Sequence, residues 1–385
     1  MKNFLFDLVP CQYDGDTKYH GGGKYTKAVL MSFLLSPRLN DWDLYCVYNS
    51  TLVLDKEIVE VISRNKVRLI DIKGESYNSI IKKNRISRMY SSFPPNELMY
   101  QKEYTFELYC TIHGLRHLEI NSEFEKIRCE RADPYKLFKL LHYYIFRNKI
   151  KKLRLKYYTN ILSNAIVIAV SQHTKFSILS FFPELKANVR VFYAPDVSKQ
   201  EKRLVSEDNT IDSGFYLLVS GNRWVKNTLR TIIALDQFFT ENKKYNRKVR
   251  VLGVTDERAF LKFIVNKELF IFEGYISEDQ LKERYLKAFA LIYLSLNEGF
   301  GYPPLEAMKF ETAVISSPFS SIPEICEDAV IYCNPYSFSE IKNRLLQLED
   351  PKIYKFYIKK GSERFKEVTK RQDEDLLKMI DFLLQ

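Results

Sequence analysis

Two glutamates separated by seven residues, Glu298 and Glu306, bracket the segment NEGFGYPPLEAM at 297–308, which directly follows the apolar run 291–296. That order reads as the end of a buried strand, a glycine-flanked turn and the start of a helix, with Glu306 in its first turn. Gly299 and Gly301 let the backbone approach a ligand closely, and Pro303 and Pro304 suit a first helical turn because they leave no N–H unpaired. Free amides at a helix start can hold a phosphate. The segment therefore reads as an anion site beside two carboxylates. An acidic residue in a first turn also stabilises the helix dipole by about 0.3–1 kcal/mol without any ligand, so the pattern alone leaves both readings open.

Other candidates stand singly. His113 closes the apolar run 108–112 and is followed by Gly114, which puts an imidazole at the carboxyl end of a strand, where open α/β sheets bind ligands. Its spacing to His117 would suit a metal on a helix, but Gly114 and the strand setting argue against that. Arg223 and Lys226 follow the β-rich run 215–219; two cations there either meet an anion or are simply solvated. Gly21, Gly22 and Gly23 precede a helix predicted over 24–36, lack the G-x-G-x-x-G spacing, and by themselves are a weak signal that a simple turn would equally explain. The triplets Asp14-Gly15-Asp16, Asp41-Trp42-Asp43 and Asp373-Glu374-Asp375 match a bare D-x-D pattern without supporting context, and no catalytic metal is expected.

The elements that must carry these residues alternate. In the second half, β-rich runs at 215–219, 249–252, 269–272, 290–294, 313–316 and 329–332 are separated by helix-like stretches such as 228–240 and 277–288. The first half repeats the theme at 4–9, 44–48, 67–72, 106–112, 165–170 and 189–193. Strands alternating with helices predict parallel sheets covered on both faces, hence an α/β protein of two doubly wound domains. Polar, aperiodic residues around 194–214 mark a linker. The expected organisation is a domain over 1–195, a linker over 196–213, a second domain over 214–365, and a terminal helix over 366–385 packing back towards the first domain.

Composition excludes several classes. Of 385 residues 46% are apolar, with only 13 Gly and 13 Pro, which rules out a disordered or collagen-like chain. No apolar run reaches the eighteen or so residues needed to cross a bilayer. The N-terminus reads as a first strand rather than a signal peptide, so a cytoplasmic protein is expected. Cysteines 11, 46, 110, 129, 326 and 333 form no C-x-x-C pair, against both a disulfide framework and a zinc ribbon. Fifty-nine Lys and Arg against 48 Asp and Glu, a net charge of +11, favour a polyanionic partner. Residues 146–156 carry six cations among Ile150, Leu153 and Leu155; they read either as a helix resting on an anionic membrane surface or as an ordinary solvated one. No nucleic-acid module is visible.

The glutamate pair and five ordered blocks resemble the retaining glycosyltransferases of the GT-B fold, a large family with many bacterial polysaccharide mannosyl- and glucosyltransferases. The blocks are TIHGLR at 111–116, AIVIAVSQHTK at 165–175, LLVSGNRWVKN at 217–227, FEGYIS at 272–277 and SIPEI at 321–325. The resemblance implies two Rossmann-like domains facing each other across a cleft, the C-terminal one holding a nucleotide diphosphate sugar and the N-terminal one the acceptor. It assigns Glu298 to hydroxyls of the donor sugar and Glu306 to the ribose. Arg223 and Lys226 become the cations on the diphosphate, with Gly299 and the backbone N–H groups of Phe300 and Gly301 around it. Tyr275 and Ile276 join the donor site, His113 contacts the donor sugar, and Gly22 and Gly23 face the diphosphate and acceptor.

The implied reaction is transfer of a sugar to a glycan or lipid-linked acceptor with retention of configuration, in cell-surface polysaccharide synthesis. It needs no cofactor beyond the donor, no metal and no nucleic acid. The protein would be cytoplasmic, or peripheral on the inner face of the membrane through residues 146–156. A non-catalytic nucleotide-sugar-binding or scaffold protein, and a GT-B epimerase, remain the alternatives. The chain departs from the family pattern at Glu311-Thr312-Ala313, where relatives carry Gly-x-Pro, at Glu327, near Lys370, and in a loop one residue shorter around Arg223.

Overall fold

Short runs of β-branched and aromatic residues form thirteen strands among the described residues, and every ladder between them is parallel. The computed structural model describes residues 2–14, 21–65, 67–95, 97–98, 104–120, 134–197 and 214–385. The first sheet contains β1 (Lys2–Asp7), β2 (Trp42–Tyr48), β3 (Arg68–Asp71), β4 (Arg88–Ser91), β5 (Glu107–Ile112), β6 (Ala165–Ala169) and β7 (Val189–Val191), in the order β3-β2-β1-β4-β5-β6-β7. The second contains β8 (Phe215–Leu218), β9 (Val249–Leu252), β10 (Phe270–Glu273), β11 (Ala288–Tyr293), β12 (Ala313–Ser316) and β13 (Ile331–Tyr332), in the order β10-β9-β8-β11-β12-β13.

Parallel strands with helices on both faces must be apolar on both sides, and the central ones are. All six residues of β11 are buried, as are the last four of β1. Each fully buried Leu, Ile or Phe adds about 1.5–3 kcal/mol relative to exposure. Helix ends are closed locally: Ser277 and Gln280 form a reciprocal capping box at the start of the helix Glu278–Lys287.

Two differences from the sequence reading have clear causes. The strand β4 was not expected, because Arg88-Met89-Tyr90-Ser91 is short and carries a cation. All four residues are buried. Arg88 is tolerated there because its Nε donates to Glu107 at 2.7 Å and its Nη1 to the Leu383 carbonyl at 2.8 Å, while the guanidinium lies over Trp42 and Tyr109. Gly21, Gly22 and Gly23, expected to precede a helix starting at residue 24, instead make the first turn of the helix Gly21–Leu34.

By its contacts the chain divides into two compact units: Met1–Leu118, Lys149–Lys199 and Thr369–Gln385 in one, Glu119–Asn148 and Gln200–Val368 in the other. Most of the expected linker, from residue 198 on, lies outside the described residues. The last helix, Pro351–Leu384, contributes to both units. In the second, Tyr354 stacks on Phe289 with ring centroids 4.6 Å apart, and Gly361 sits against Met308. In the first, Asp375 accepts from the Tyr193 amide at 3.0 Å and Gln372 donates to the Ala194 carbonyl at 2.5 Å.

Candidate active site

In both sheets the strand order reverses once, between β1 and β4 and between β8 and β11. Loops leaving the carboxyl ends of two such strands run to opposite sides and leave a crevice, the usual ligand site of a doubly wound sheet. In the second unit these are the loops after β8 and β11. They are stitched together where the Leu296 amide donates to the Val225 carbonyl at 2.8 Å.

The stitch brings a cation and a carboxylate together. Lys226 closes a single 3-10 turn, Trp224–Lys226, and Asn227 behind it takes a left-handed conformation, φ 57°, before the helix Thr228–Glu241 begins. Lys226 Nζ donates to Glu298 Oε1 at 2.6 Å and to the Tyr293 hydroxyl, and Ser295 Oγ donates to the same Glu298 oxygen. The two charged side chains are only 5% and 11% exposed. The main chain of Glu298 is held as well: its amide donates to Ser320 Oγ at 2.7 Å, and Ser321 Oγ donates to the Glu298 and Phe300 carbonyls at 3.0 and 2.8 Å.

Gly301 has φ 110°, and a Cβ there would lie 2.7 Å from Ile322 Cδ1, so only glycine fits. The helix that follows is Tyr302–Lys309, with both prolines in its first turn as expected but Glu306 outside it. Pro303 and Pro304 occupy its second and third positions and have no N–H, so the amides left for an anion are those of residues 299–302, the last of them the first residue of the helix. Glu306 lies beyond that first turn, so dipole stabilisation does not explain it. Its Oε2 instead accepts from Tyr285 at 2.9 Å. Burial, then the charge on Glu306, pushes the Tyr285 phenol well above its ordinary pKa; burial, then Glu298, does the same to Tyr293.

Arg223 is exposed three residues before Lys226, and its positive charge acts on Tyr293 against those effects. Gly299 is half-buried and Phe300 buried. Tyr275, 83% exposed, and Ile276, half-buried, follow β10, two strands away from β8, and are not drawn into this cluster.

Gly22, Gly23 and His113 belong to the first unit and gather there at the carboxyl edge of its sheet. Thr26 Oγ1 donates to the Gly22 carbonyl at 2.9 Å and bonds Ser92 Oγ at 2.5 Å; His113 Nε2 meets the Ser92 carbonyl at 3.0 Å. A carbonyl only accepts, so Nε2 carries the proton. The imidazole stacks on Phe93 and meets Tyr25 edge-on, each with ring centroids 4.6 Å apart. Gly23 is buried.

Among the described residues no group of three or more His, Cys, Asp or Glu could hold a metal ion, and no helix is long and apolar enough to cross a membrane. Sequence reasoning missed Tyr293, Ser295, Ser320, Ser321 and Tyr285. A tyrosine at a strand end reads as core and a serine in a loop as filler, so no local signal marks them.

Solved structures share this architecture along the whole chain. Anabaena Alr3699/HepE in complex with UDP aligns with a TM-score of 0.62 at 12% identity, covering 100% of this chain and 99% of that one. WaaG, a glycosyltransferase involved in lipopolysaccharide biosynthesis, aligns with a TM-score of 0.59 at 13% identity over 94% and 95%. The two doubly wound units are those of the GT-B fold.

Residues 202–370, most of the second unit, match the family described as glycosyl transferases group 1. It is 28% identical over 220 residues to the O-antigen chain mannosyltransferase RfbU of Salmonella typhimurium, 56% of this chain and 57% of that protein. Over 80 residues it is 36% identical to the serotype-specific mannosyltransferase WbdA of Escherichia coli, 20% of this chain and 10% of that protein. The match thus spans little more than half the length of one relative and a tenth of the other.

Proposed function

We propose that the chain is a retaining glycosyltransferase that moves a sugar from a nucleotide diphosphate sugar to a glycan or lipid-linked acceptor in cell-surface polysaccharide synthesis. The observation that carries this reading is the buried Lys226–Glu298 pair beside a glycine turn at the switch point of the second sheet. Breaking a sugar–phosphate bond puts negative charge on the leaving diphosphate. A preorganised donor there lowers the barrier by about 3 kcal/mol, and Lys226 with Arg223 and the amides of the 299–302 turn are the groups available. Glu298 accepts from hydroxyls of the donor sugar, and Glu306 from the ribose. Since Glu298 is occupied by Lys226 and Ser295, it acts as a hydrogen-bond acceptor rather than a nucleophile. The expected route is front-face: the acceptor oxygen bonds the anomeric carbon on the side the phosphate leaves, and the departing phosphate oxygen takes the hydroxyl proton.

The lipid-linked acceptor suggests an anionic membrane surface, and the helix Pro134–Leu162 supports it. Phe138, Leu141, Ile145, Lys149, Lys152 and Lys156, spaced by three or four residues, form one exposed stripe, apolar at one end and cationic at the other. Binding to anionic but not to neutral vesicles would support that part.

The decisive assay incubates the protein with a panel of nucleotide sugars and measures nucleoside diphosphate release with and without candidate acceptors, reading the product anomer by NMR. Acceptor-dependent release with retained configuration is expected. Binding without turnover would indicate a sensor or scaffold, and donor conversion without any acceptor an epimerase. Glu306→Ala should weaken donor binding, whereas His113→Ala should lower turnover with donor still bound; unchanged activity in both variants rejects the site assignment.

A further inference from the structure

We infer that Tyr293 and Ser295 are positioning residues for this site, dividing the work: Tyr293 pins the Lys226 ammonium and Ser295 the Glu298 carboxylate. The inference rests on the functional reading above and deepens it. A lysine head is a point charge on a four-carbon stem with three rotatable donors, so nothing in the residue itself fixes its direction. Here the direction is imposed from outside. Lys226 Nζ lies 4.6 Å from the centre of the Tyr293 ring and donates to its hydroxyl. An ammonium only donates, so the phenol accepts from it, and burial together with the charge on Glu298 keeps that phenol protonated by pushing its pKa well above the ordinary value.

Tyr293 cannot yield. It is the last residue of β11, 2% exposed, and its carbonyl accepts from Ser316 Oγ at 3.0 Å and from the Ser317 amide at 3.3 Å. Ser295, 1% exposed, reaches the same Glu298 oxygen from the other direction, while its carbonyl accepts from Ser317 Oγ. Two hydroxyls on rigid backbone thus set the separation between the group that meets the leaving diphosphate and the group that meets the sugar. Phenylalanine at 293 would fill the same space without doing this.

The test is a double-mutant cycle on the full chain, with calorimetry against UDP, GDP, ADP and dTDP and transfer kinetics with the preferred donor. Tyr293→Phe is expected to weaken nucleoside diphosphate binding about tenfold, the loss of one hydrogen bond to a charged group. In a Lys226→Met background it should add nothing, because the phenol acts through the lysine. Ser295→Ala should weaken the nucleotide sugar about tenfold and leave the bare diphosphate within about twofold, a split that a loss of folded protein would not produce. Unchanged affinity in a folded Tyr293→Phe, an equal loss with and without Lys226, or an equal loss of both ligands in Ser295→Ala overturns the inference. A wild-type chain that binds none of the four diphosphates overturns the functional reading itself, and the two failures are distinct.

Discussion

Glu298→Gln offers a sharp test because it separates what the pair does for folding from what it does for a ligand. Glutamine keeps the shape and still accepts from Lys226, but removes the counter-charge from an ammonium that is only 5% exposed. Breaking one partner of a buried pair costs about 3–5 kcal/mol. The Tyr293 hydroxyl remains on the ammonium and Glu298 itself keeps 11% exposure, so the lower end, about 3 kcal/mol, is expected. For a unit of this size that is about 6–12 °C in Tm. Removing both charges, in Lys226→Met with Glu298→Gln, leaves no uncompensated ion and should recover more than half of the loss, since a buried pair is often no better than a neutral replacement. The double variant should therefore fold well while binding nucleoside diphosphates more weakly than wild type, though still measurably. Urea unfolding followed by far-UV circular dichroism, alongside calorimetry, reads both quantities. A single variant within about 0.5 kcal/mol of wild type, or a double variant no more stable than the single, would falsify the reasoning.

Three further outcomes are expected. Gly301→Ala forces an L side chain to φ 110° and into Ile322, which should cost about 1–3 kcal/mol in thermal unfolding and weaken nucleotide binding by shifting the 299–302 turn; a variant with wild-type stability and affinity would contradict this. Asp7, buried at the end of β1, is raised from 3.8 to about 6 by burial, partly offset by hydrogen bonds from Ser91 and the Val9 amide. The folded state therefore holds this proton more tightly than the unfolded chain, and its stabilising contribution, about 3 kcal/mol, is present below pH 4 and lost as pH rises to about 6. Asp7→Asn should remove that slope from the urea midpoint between pH 4 and 7, and parallel profiles for the two proteins would rule the assignment out. Finally, EDTA should leave transfer intact; activity abolished by chelation and restored by manganese would reject a metal-independent reaction.

The twelve strands expected from the sequence are all present among the described residues, with ends shifted by one or two residues in most cases. Their apolar runs are local and their burial on both faces leaves little ambiguity. The glycine turn of 299–301 was legible for a related reason, since Gly301 answers to a backbone angle that few other residues accept. β4 was not legible: Arg88 in a strand becomes affordable only once Glu107, Trp42, Tyr109 and the Leu383 carbonyl surround it, and none of these is near in the chain. The start of the first helix was misplaced by three residues, because three consecutive glycines carry no helical signal of their own and packing continued the helix through Gly21–Gly23.

The order of strands and helices, the positions of the glycine turn and of the two glutamates, and the family likeness were determined by residues adjacent in the chain. What Glu298 touches was decided elsewhere. Lys226 is 72 residues away, and it meets Glu298 only because β8 lies beside β11 where the sheet reverses. Burying a cation and a carboxylate together is tolerable only when both are bonded, and the hydroxyls of Tyr293 and Ser295 that complete those bonds acquire their role from the folded neighbourhood rather than from any spacing along the chain.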